Sequence, residues 1–311
     1  MTTADLSAPA LRVDPITSAV IGGALTSIAV DMGYRLTRMS YSSIIRESED
    51  FGCAICDHER RQLCESTQST PLQSGPLPGY VRGIDRRFAE IGDEWRPGDV
   101  VIHNHPYYGA SHQPDVGIIV PIFLDGELVG FSGTTAHHLD LGALTPGTCG
   151  IVDATDAFAE GLLLNAVKLE EDGRPVRSAW RIVADNTRLP KLVVGDLEAQ
   201  VAAAKLGAAR TIELIERYVL ETFRAATEQA MDQSEHVLRR RIEELPDGRY
   251  EERARSTGSS TTPTRPTASC RCGWRSRSPA RTCTSTSPVP RRRSTCLSTC
   301  RSSARPTSPS T

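Results

Sequence analysis

Two apolar runs joined by a two-residue turn are the strongest structural constraint in this chain. The runs are I-I-V-P-I-F-L at 118–124 and E-L-V-G-F-S-G-T-T at 127–135, with Asp125-Gly126 between them. Asp-Gly is a preferred two-residue connection between antiparallel strands, and Pro121 predicts an edge position or a bulge in the first strand. The segment therefore predicts a β-hairpin, and its pairing fixes where the flanking residues lie.

Histidine and aspartate residues cluster in the sequence on either side of this predicted hairpin. The sequence S-H-Q-P-D occupies 111–115, and T-T-A-H-H-L-D-L-G occupies 134–142. With Asp125-Gly126 as the turn, the numbers of facing residues add up to about 251. His112 then faces a position near 139, Asp115 one near 136, and His137 one near 114. The two clusters are predicted to meet at the open end of the hairpin.

The density of histidines in this region favours a metal or catalytic site. Five of the seven histidines fall within 36 residues: His103, His105, His112, His137 and His138. Imidazole and carboxylate groups on rigid strand ends suit a divalent transition metal such as Zn, Mn or Fe. Such a metal polarises a carbonyl group or lowers the pKa of a bound water. The alternative interpretation is a set of hydrogen-bonded loop histidines without a ligand.

Helical patterns precede and follow the hairpin. Asp14-Pro15 predicts a capped helix start, and apolar residues recur at helical spacing from Ile16 to Met39. Asp196 is predicted to cap a helical region from 197 to about 245, broken near Leu206-Gly207 and Tyr218. Together these elements predict an α/β or mixed α+β fold. It has an N-terminal helix, a mixed sheet that carries the hairpin and the site, and a C-terminal helical region.

Several candidates between these elements carry weaker signals. Glu47, Glu49 and Asp50 precede a predicted strand at 51–57 and are either carboxylate ligands or part of a solvated loop. Cys53-x-x-Cys56 lies on that apolar strand, so buried thiols are favoured over a metal site. Residues 65–80 contain three prolines and two glycines, which predicts an irregular loop. The sequence contains no run that resembles a membrane span or a secretory signal.

The composition changes abruptly near residue 250. Residues 251–311 contain twelve arginines, no lysine and two acidic residues, and their large aliphatic residues are Val289 and Leu297. Such a segment cannot bury enough apolar surface to offset its conformational entropy. The predicted organisation is therefore a flexible terminus at 1–12, a folded region at 13–250 and a disordered tail at 251–311.

Two interpretations of the tail compete. An Arg/Ser-rich arm of this kind binds nucleic acid or an acidic partner. Alternatively, Arg, Ala, Pro, Ser, Thr, Gly, Cys and Trp are the residues that a GC-rich gene yields when it is translated out of frame. The abruptness of the change favours the shifted frame, and a nucleic-acid partner is correspondingly disfavoured.

Six motifs in this order resemble the hydantoinase B / 5-oxoprolinase family. They are D-P-I-T, R-E-S-E-D-F-G-C-A, H-N-H-P-Y-Y-G-A-S-H-Q-P-D, A-H-H-L-D-L-G-A-L-T-P-G, D-N-T-R-L-P and G-D-L-E-A-Q, within about Val13 to Tyr250. The family includes N-methylhydantoinase B subunits, the C-terminal part of 5-oxoprolinase, and alpha subunits of acetone and acetophenone carboxylases. The resemblance covers the folded region and does not specify a substrate.

The resemblance implies a chemistry and a set of ligands. A hydantoinase A-type partner subunit uses ATP to activate a cyclic amide or ketone, and the B-type chain completes ring hydrolysis or carboxylation at a metal site containing Mn or Zn. The metal ligands of related carboxylases match Glu47, His112, Asp115 and His137 in this chain. His138 and Asp140 are predicted to support these ligands or to act as general acid and base.

The chain also departs from the family pattern. Where the family commonly has N-D-P-Y, this chain has Asn104-His105-Pro106-Tyr107, so a role of that aspartate is in doubt. The family pattern continues with strands after D-G-R-Y, whereas this chain continues with the Arg-rich tail, which again favours a shifted frame. The prediction is a cytoplasmic, ATP-dependent hydrolase subunit for cyclic amides; a ketone carboxylase alpha-type subunit, an inactive truncated remnant and a basic-tailed binding protein are the alternatives.

Overall fold

The computed structural model describes residues 12–146 and 156–244, and the backbone of 249–253, 271–275 and 284–286. The chain divides into two compact units, Met1–Met231 and Asp232–Thr311. The helices of the described part are α1 (Pro15–Met39), α2 (Ser43–Arg46), α3 (Pro71–Ser74), α4 (Leu77–Ile91), α5 (Arg177–Asp185), α6 (Pro190–Tyr218) and α7 (Leu220–Glu243). Short 3-10 helices cover Pro106–Tyr108 and Ala157–Glu160.

The first unit is built around a seven-stranded sheet. Its strands are β1 (Phe51–Asp57), β2 (Gln62–Glu65), β3 (Val100–His103), β4 (Asp115–Leu124), β5 (Glu127–His137), β6 (Val167–Glu171) and β7 (Arg174–Pro175), and their order in the sheet is β2-β1-β5-β4-β3-β6-β7. The α/β class, the N-terminal helix and the C-terminal helices are confirmed. The sheet differs from the predicted mixed sheet because every neighbouring pair is antiparallel.

The predicted hairpin is confirmed as β4–β5. Asp125 and Gly126 both have positive φ, 50° and 84°, as a type I′ turn requires. The pairing shifts between Ile122 and Phe123, one residue after Pro121, where the sequence predicted a bulge or an edge. Beyond this bulge the numbers of facing residues add up to one more than predicted, so Asp115 pairs directly with His137.

Helices cover both faces of the sheet, which explains why β4 and β5 are buried except near the turn that joins them. Ile118 packs on one face with residues of α1 and α6, and Ile119 packs on the other face with residues of α4. Side chains of successive strand residues point to opposite faces. The direction in which each side chain of β4 and β5 points therefore decides whether a polar residue reaches α3 and α4 or reaches α6.

The first helix, α1, begins as predicted. The Asp14 side chain accepts hydrogen bonds from the Ile16 and Thr17 backbone N–H groups, and Pro15 occupies the first turn. By length and composition alone α1 would suffice to cross a membrane, which differs from the sequence expectation. Because its Met32 and Leu36 side chains are fully buried in the core of the unit, we interpret α1 as a core helix.

Two local predictions were wrong. Asp196 does not cap a helix, because Pro190 begins α6 and Asp196 lies inside it. Residues 65–80 are not an irregular loop, because Pro71 and Pro78 occupy the first turns of α3 and α4. Backbone N–H groups in the first turn of a helix have no partner within the helix, so proline is tolerated there. The predicted break at Tyr218 is confirmed, whereas α6 runs through Leu206-Gly207 without interruption.

The second unit contains the predicted tail. Its described strands are β8 (Arg249–Arg253), β9 (Arg271–Arg275) and β10 (Thr284–Thr286), which pair antiparallel in the order β10-β9-β8. The predicted disorder of 251–311 stays a prediction, because the remainder of this segment lies outside the described residues. Residues 1–11 of the predicted flexible terminus at 1–12 also lie outside them.

Candidate metal centre

The two predicted histidine clusters meet where the hairpin opens. Asp115 is the first residue of β4, His137 is the last residue of β5, and the two are paired. His112 lies one turn before β4, where the Asp115 backbone N–H donates to the His112 carbonyl oxygen over 3.2 Å. The strand pairing and this turn therefore bring His112, Asp115 and His137 to one place.

These three residues form a compact set of ligand atoms. One ligand atom from each lies within 4.8 Å of the others. His112 Nε2 and His137 Nδ1 both lie 2.9 Å from Asp115 Oδ1, and the two imidazole rings are 5.2 Å apart between centroids. Asp115 is 1% exposed and His137 7% exposed, whereas His112 remains partly accessible. Two imidazoles and one carboxylate are a donor set that suits Zn or Mn.

Other residues hold the Asp115 carboxyl group in place. Gln73 Nε2 donates to Asp115 Oδ1 over 2.9 Å and also to Asp50 Oδ1 over 3.0 Å. Ser111 Oγ donates to Asp115 Oδ2 over 2.6 Å, and the Tyr80 hydroxyl donates to the Asp115 carbonyl oxygen over 2.9 Å. Both carboxyl oxygens are thus oriented by neighbours, as metal-binding carboxylates commonly are.

The electrostatics of the cluster favour a charged aspartate. Burial raises the pKa of Asp115, but hydrogen bonds from His112 and His137 outweigh burial and hold that pKa well below its usual range. Burial lowers the pKa of His112, but the hydrogen bond and charge of Asp115 outweigh it, so the pKa is raised above 6.5. A buried carboxylate shared by two imidazoles provides the negative charge that a divalent cation requires.

Glu47 lies apart from this cluster. It follows α2 as the C-cap residue and is exposed, and it is absent from the ligand set found among the described residues. Asp50 lies closer, because its carbonyl oxygen accepts from the His137 backbone N–H over 3.1 Å and its charge acts on the pKa of His112. The assignment of Glu47 as a ligand remains a prediction.

His138 and Asp140 have partners inside the protein. His138 is fully buried, and its Nε2 lies 2.7 Å from Gln200 Oε1; burial lowers its pKa, although the bond to Gln200 opposes that effect. Asp140 accepts hydrogen bonds from Arg188 and Thr187. These bonds join the A-H-H-L-D motif to the D-N-T-R-L-P motif, and a general acid–base role for either residue remains a prediction.

The remaining two histidines of the dense region do not join the cluster. His103 Nδ1 accepts from the Ala166 backbone N–H over 3.2 Å, and its Nε2 lies 3.2 Å from the Tyr108 carbonyl oxygen. His105 Nδ1 accepts from the Tyr107 backbone N–H. Both rings hydrogen-bond to backbone groups. This is the alternative, hydrogen-bonded histidines without a ligand, that the sequence left open for all five histidines.

A second group of acids, Asp57, Glu59 and Glu228, has ligand atoms equally close together. Arg61 lies within ion-pair distance of all three carboxylates: 2.7 Å from Asp57, 3.3 Å from Glu59, and in contact with Glu228. The Arg61 guanidinium group therefore already pairs with oxygens of all three carboxylates, and a metal ion would have to displace it. Glu59 and Glu228 are also exposed, whereas Asp115 and His137 are buried.

The sequence did not identify Gln73, Ser111 or Glu160 as parts of the site. Ser111 lies within S-H-Q-P-D, and its place beside His112 was the one available signal. Gln73 falls in the segment predicted as a loop, and Glu160 follows the undescribed residues 147–155. Glu160 interacts with the charge of His112, and its carboxylate accepts from the Gln113 backbone N–H over 3.4 Å.

Comparison with known proteins identifies relatives over most of the chain. A family model described as hydantoinase B/oxoprolinase matches residues 14–271. The putative B-type subunit of a D-/L-hydantoinase from Pseudomonas sp. (strain NS671) is 58% identical over 239 residues, which are 77% of this chain and 40% of that protein. The beta subunit of the Pseudomonas jessenii caprolactamase is 33% identical over 238 residues, 76% of this chain and 40% of that protein.

Solved structures share the fold. The ATP-dependent caprolactamase from Pseudomonas jessenii superposes with a TM-score of 0.72 at 30% identity, covering 85% of this chain and 44% of that one. Nucleotide-free acetone carboxylase superposes with a TM-score of 0.74 at 19% identity, covering 85% and 36%; this second likeness shows the fold alone. The chain spans about two fifths of the length of the hydantoinase and caprolactamase relatives.

Proposed function

Because this chain belongs to the hydantoinase B/oxoprolinase family, we propose that it is a B-type subunit of an ATP-dependent hydrolase that opens a cyclic amide at a divalent metal site. The observation that supports this most directly is the cluster of His112, Asp115 and His137 at the open end of β4–β5. Its donor atoms and its buried negative charge fit Mn or Zn, the metals expected from the sequence.

The residues of the chain have three different roles at this site: binding the metal, orienting its ligands and supporting the segment that carries them. His112, Asp115 and His137 would hold the metal, and Glu47 is the further ligand implied by the family resemblance. Gln73 and Ser111 orient the Asp115 carboxylate through their hydrogen bonds to its two oxygens. A bound metal would supply Lewis acidity towards an amide carbonyl oxygen or a water. His138 and Asp140 support the ligand-bearing segment, since their partners Gln200 and Arg188 hold them inside the protein.

A partner subunit belongs to the same proposal. Two relatives are named as subunits, one of a hydantoinase and one of a caprolactamase, and a structural relative is named as ATP-dependent. We propose that a hydantoinase A-type ATPase chain activates the small-molecule substrate with ATP before the metal site acts on it. A cytoplasmic location fits this partnership and the free thiols of Cys53, Cys56 and Cys64.

The hydrolase is favoured over a ketone carboxylase alpha-type subunit by the names and identities of the relatives. The hydantoinase and caprolactamase relatives are 58% and 33% identical to this chain, and the 5-oxoprolinase of Dictyostelium discoideum is 32% identical over 69% of it. The acetone carboxylase likeness lies at 19% identity.

The experiment that tests this function combines the full chain with its A-type partner, ATP and Mn²⁺ or Zn²⁺. Ring opening of hydantoin, 5-oxoproline and caprolactam is followed by chromatography, and ATP hydrolysis is measured in parallel. We expect amide hydrolysis that requires both chains, ATP and metal, and that is lost in His137→Ala.

Two other outcomes have clear meanings. Incorporation of labelled bicarbonate into a ketone, without ring opening, would establish the carboxylase alternative. Stoichiometric metal binding without either activity would mean that the chain is an inactive remnant, and the hydrolase proposal would be withdrawn. The variant Thr211→Val serves as the control, because Thr211 is buried on α6 and its hydroxyl donates to the Gly207 carbonyl oxygen of the same helix.

A further inference from the structure

The motif G-D-L-E-A-Q at 195–200 lies outside the candidate metal centre but contains two buried polar side chains. Asp196 and Gln200 are both 0% exposed and lie in the middle of α6. Because residues four apart on a helix lie on the same face, both side chains project from α6 in one direction. A buried polar group is costly unless it is hydrogen-bonded, so their partners indicate what these residues do.

Asp196 binds the segment that leads into α2. Its Oδ1 accepts hydrogen bonds from the Tyr41 backbone N–H over 2.6 Å and from the Ser42 backbone N–H over 3.2 Å. The side chain of Ser42, the N-cap residue of α2, makes no capping bond, so Asp196 holds this helix start from α6. Glu47, the C-cap residue at the other end of α2, is thereby placed relative to α6.

Gly195 contributes to the same contact. A Cβ atom at this position would lie 2.4 Å from the Tyr41 ring, which is closer than real Cβ contacts allow. Glycine therefore lets the Tyr41 segment lie directly against α6, within reach of the Asp196 carboxylate.

Gln200 binds both strands of the hairpin next to the ligand residues. Its Oε1 accepts from His138 Nε2 over 2.7 Å, and its Nε2 donates to the Val116 carbonyl oxygen over 3.0 Å. His138 follows His137, and Val116 follows Asp115. One amide side chain therefore fixes the backbone beside two of the three clustered residues.

The amide also fixes the tautomer of His138. The Gln200 NH₂ group donates to the Val116 carbonyl oxygen, so the Gln200 Oε1 atom faces His138. Because an amide oxygen can only accept, His138 Nε2 must carry the hydrogen. His138 Nδ1 is buried and has no hydrogen-bond partner among the described residues. His137 and His138 are neighbours whose rings turn towards different partners, Asp115 and Gln200 respectively.

We propose that Asp196 and Gln200 are positioning residues that fix the α2 segment and the His137–His138 segment relative to each other from α6. The proposal rests on the proposed function, because the role of this arrangement is to set the geometry of the metal site. Neither residue belongs to the cluster of His112, Asp115 and His137. Partners that orient metal ligands typically change metal affinity by about 10–100-fold when they are removed.

The first test measures metal affinity of the full chain by competition with a chromophoric chelator for Zn²⁺ or Mn²⁺. We expect Gln200→Met to weaken binding by about 10-fold or more, and Asp196→Leu to weaken it likewise. Asp196→Asn keeps the accepting oxygen for Tyr41 and Ser42, so it should bind metal like the unchanged protein. Thr211→Val, which removes a buried hydrogen bond from the same helix, controls for a general loss of stability.

The second test does not depend on metal. In the metal-free chain with ¹⁵N-labelled histidine, imidazole nitrogen chemical shifts should show His138 with hydrogen on Nε2, and Gln200→Met should abolish this preference. If that variant does not fold, the pair Asp196→Asn and Asp196→Leu decides, because the two side chains have nearly the same shape and only asparagine keeps an accepting oxygen for Tyr41 and Ser42.

The outcomes separate the two proposals. If the unchanged chain binds no metal but the His138 tautomer depends on Gln200, the proposed function fails while the positioning contact stands. If the unchanged chain binds metal and Gln200→Met and Asp196→Leu bind it no more weakly than Thr211→Val, the positioning role is overturned. Equal affinities for Asp196→Asn and Asp196→Leu would also overturn it.

Discussion

His112 and His137 differ from His103 in what their ring nitrogens face, although all three lie in the same histidine-rich stretch. The rings of His112 and His137 converge on one buried carboxylate, that of Asp115. The His103 ring bonds to the backbone of Ala166 and Tyr108. A histidine is a candidate metal ligand when its ring faces a carboxylate that a second histidine also faces. It is a structural residue when its ring nitrogens bond to backbone groups. Density of histidines along the sequence does not distinguish the two cases.

The largest expected effect comes from removing the shared charge. Asp115→Asn leaves both imidazoles in place but removes the carboxylate that they share, so we expect the metal Kd to rise about 100-fold or more. Isothermal titration of the full chain with Zn²⁺ measures this change. An unchanged Kd would mean that the His112 and His137 pair is no more a metal site than His103 is.

A smaller effect is expected at Gln73, which orients the same carboxylate. Gln73→Leu removes the donor to Asp115 Oδ1 and Asp50 Oδ1, and we expect metal affinity to fall by about 10-fold. The same titration measures it. Gln73→Glu replaces the donor by a third carboxylate, so it should disturb the site further; binding equal to that of the unchanged protein in both variants would contradict the orienting role.

His103 should affect stability and not metal binding. Burial lowers the pKa of His103 from 6.5 to about 4, so the unfolded chain binds more protons than the folded chain between these values. The free energy of unfolding should therefore be highest above pH 6.5 and fall as pH drops towards 4, by about 3 kcal/mol at most.

Urea unfolding at pH 8, 6 and 5 measures that dependence. In His103→Asn the amide oxygen takes over from Nδ1 as acceptor for the Ala166 N–H, and the titrating group is absent, so the dependence on pH should become shallower. Metal affinity at pH 8 should stay unchanged, and a loss there would remove the distinction between the two kinds of histidine.

The smallest effect is expected at the acidic group around Arg61. Asp57→Asn removes a carboxylate at the far end of β1, but Arg61 already pairs with all three carboxylates of this group of acids. We expect neither the stoichiometry nor the Kd of metal binding to change. A lost metal equivalent in this variant would show that a metal ion displaces Arg61 from these carboxylates.

Much of the fold could be predicted from local signals, and the failures have local causes. The hairpin followed from Asp125-Gly126 and the apolar runs, and the helix start followed from Asp14-Pro15. The exact pairing of Asp115 with His137 did not, because the bulge after Pro121 shifts the register by one residue. The three prolines and two glycines of residues 65–80 predicted a loop, but Pro71 and Pro78 lie in the first turns of α3 and α4, where proline is tolerated.

The parts of the site that were missed depend on contacts distant in sequence. Nothing near Gln73 indicates that it meets Asp115, and Asp196 looks like a helix cap until the fold places Tyr41 and Ser42 beside it. The origin of the Arg-rich tail remains a prediction. Sequencing the gene across codons 245–260 tests it: another open frame that continues with alternating apolar residues would support a shifted frame, and its absence would support a genuine basic arm.

Because of the bulge between Ile122 and Phe123, the pairing at the candidate metal centre depends on the number of residues near the hairpin turn. That turn lies about 30 Å away along the strand. Losing one residue of β4 between Asp115 and the turn would slide the pairing by one position, so Ala136 would take the place of His137 opposite Asp115. Losing or gaining two would restore the alternation of faces. Loop grafts or affinity tags inserted at Asp125-Gly126 should therefore leave the number of residues between the turn and the bulge unchanged.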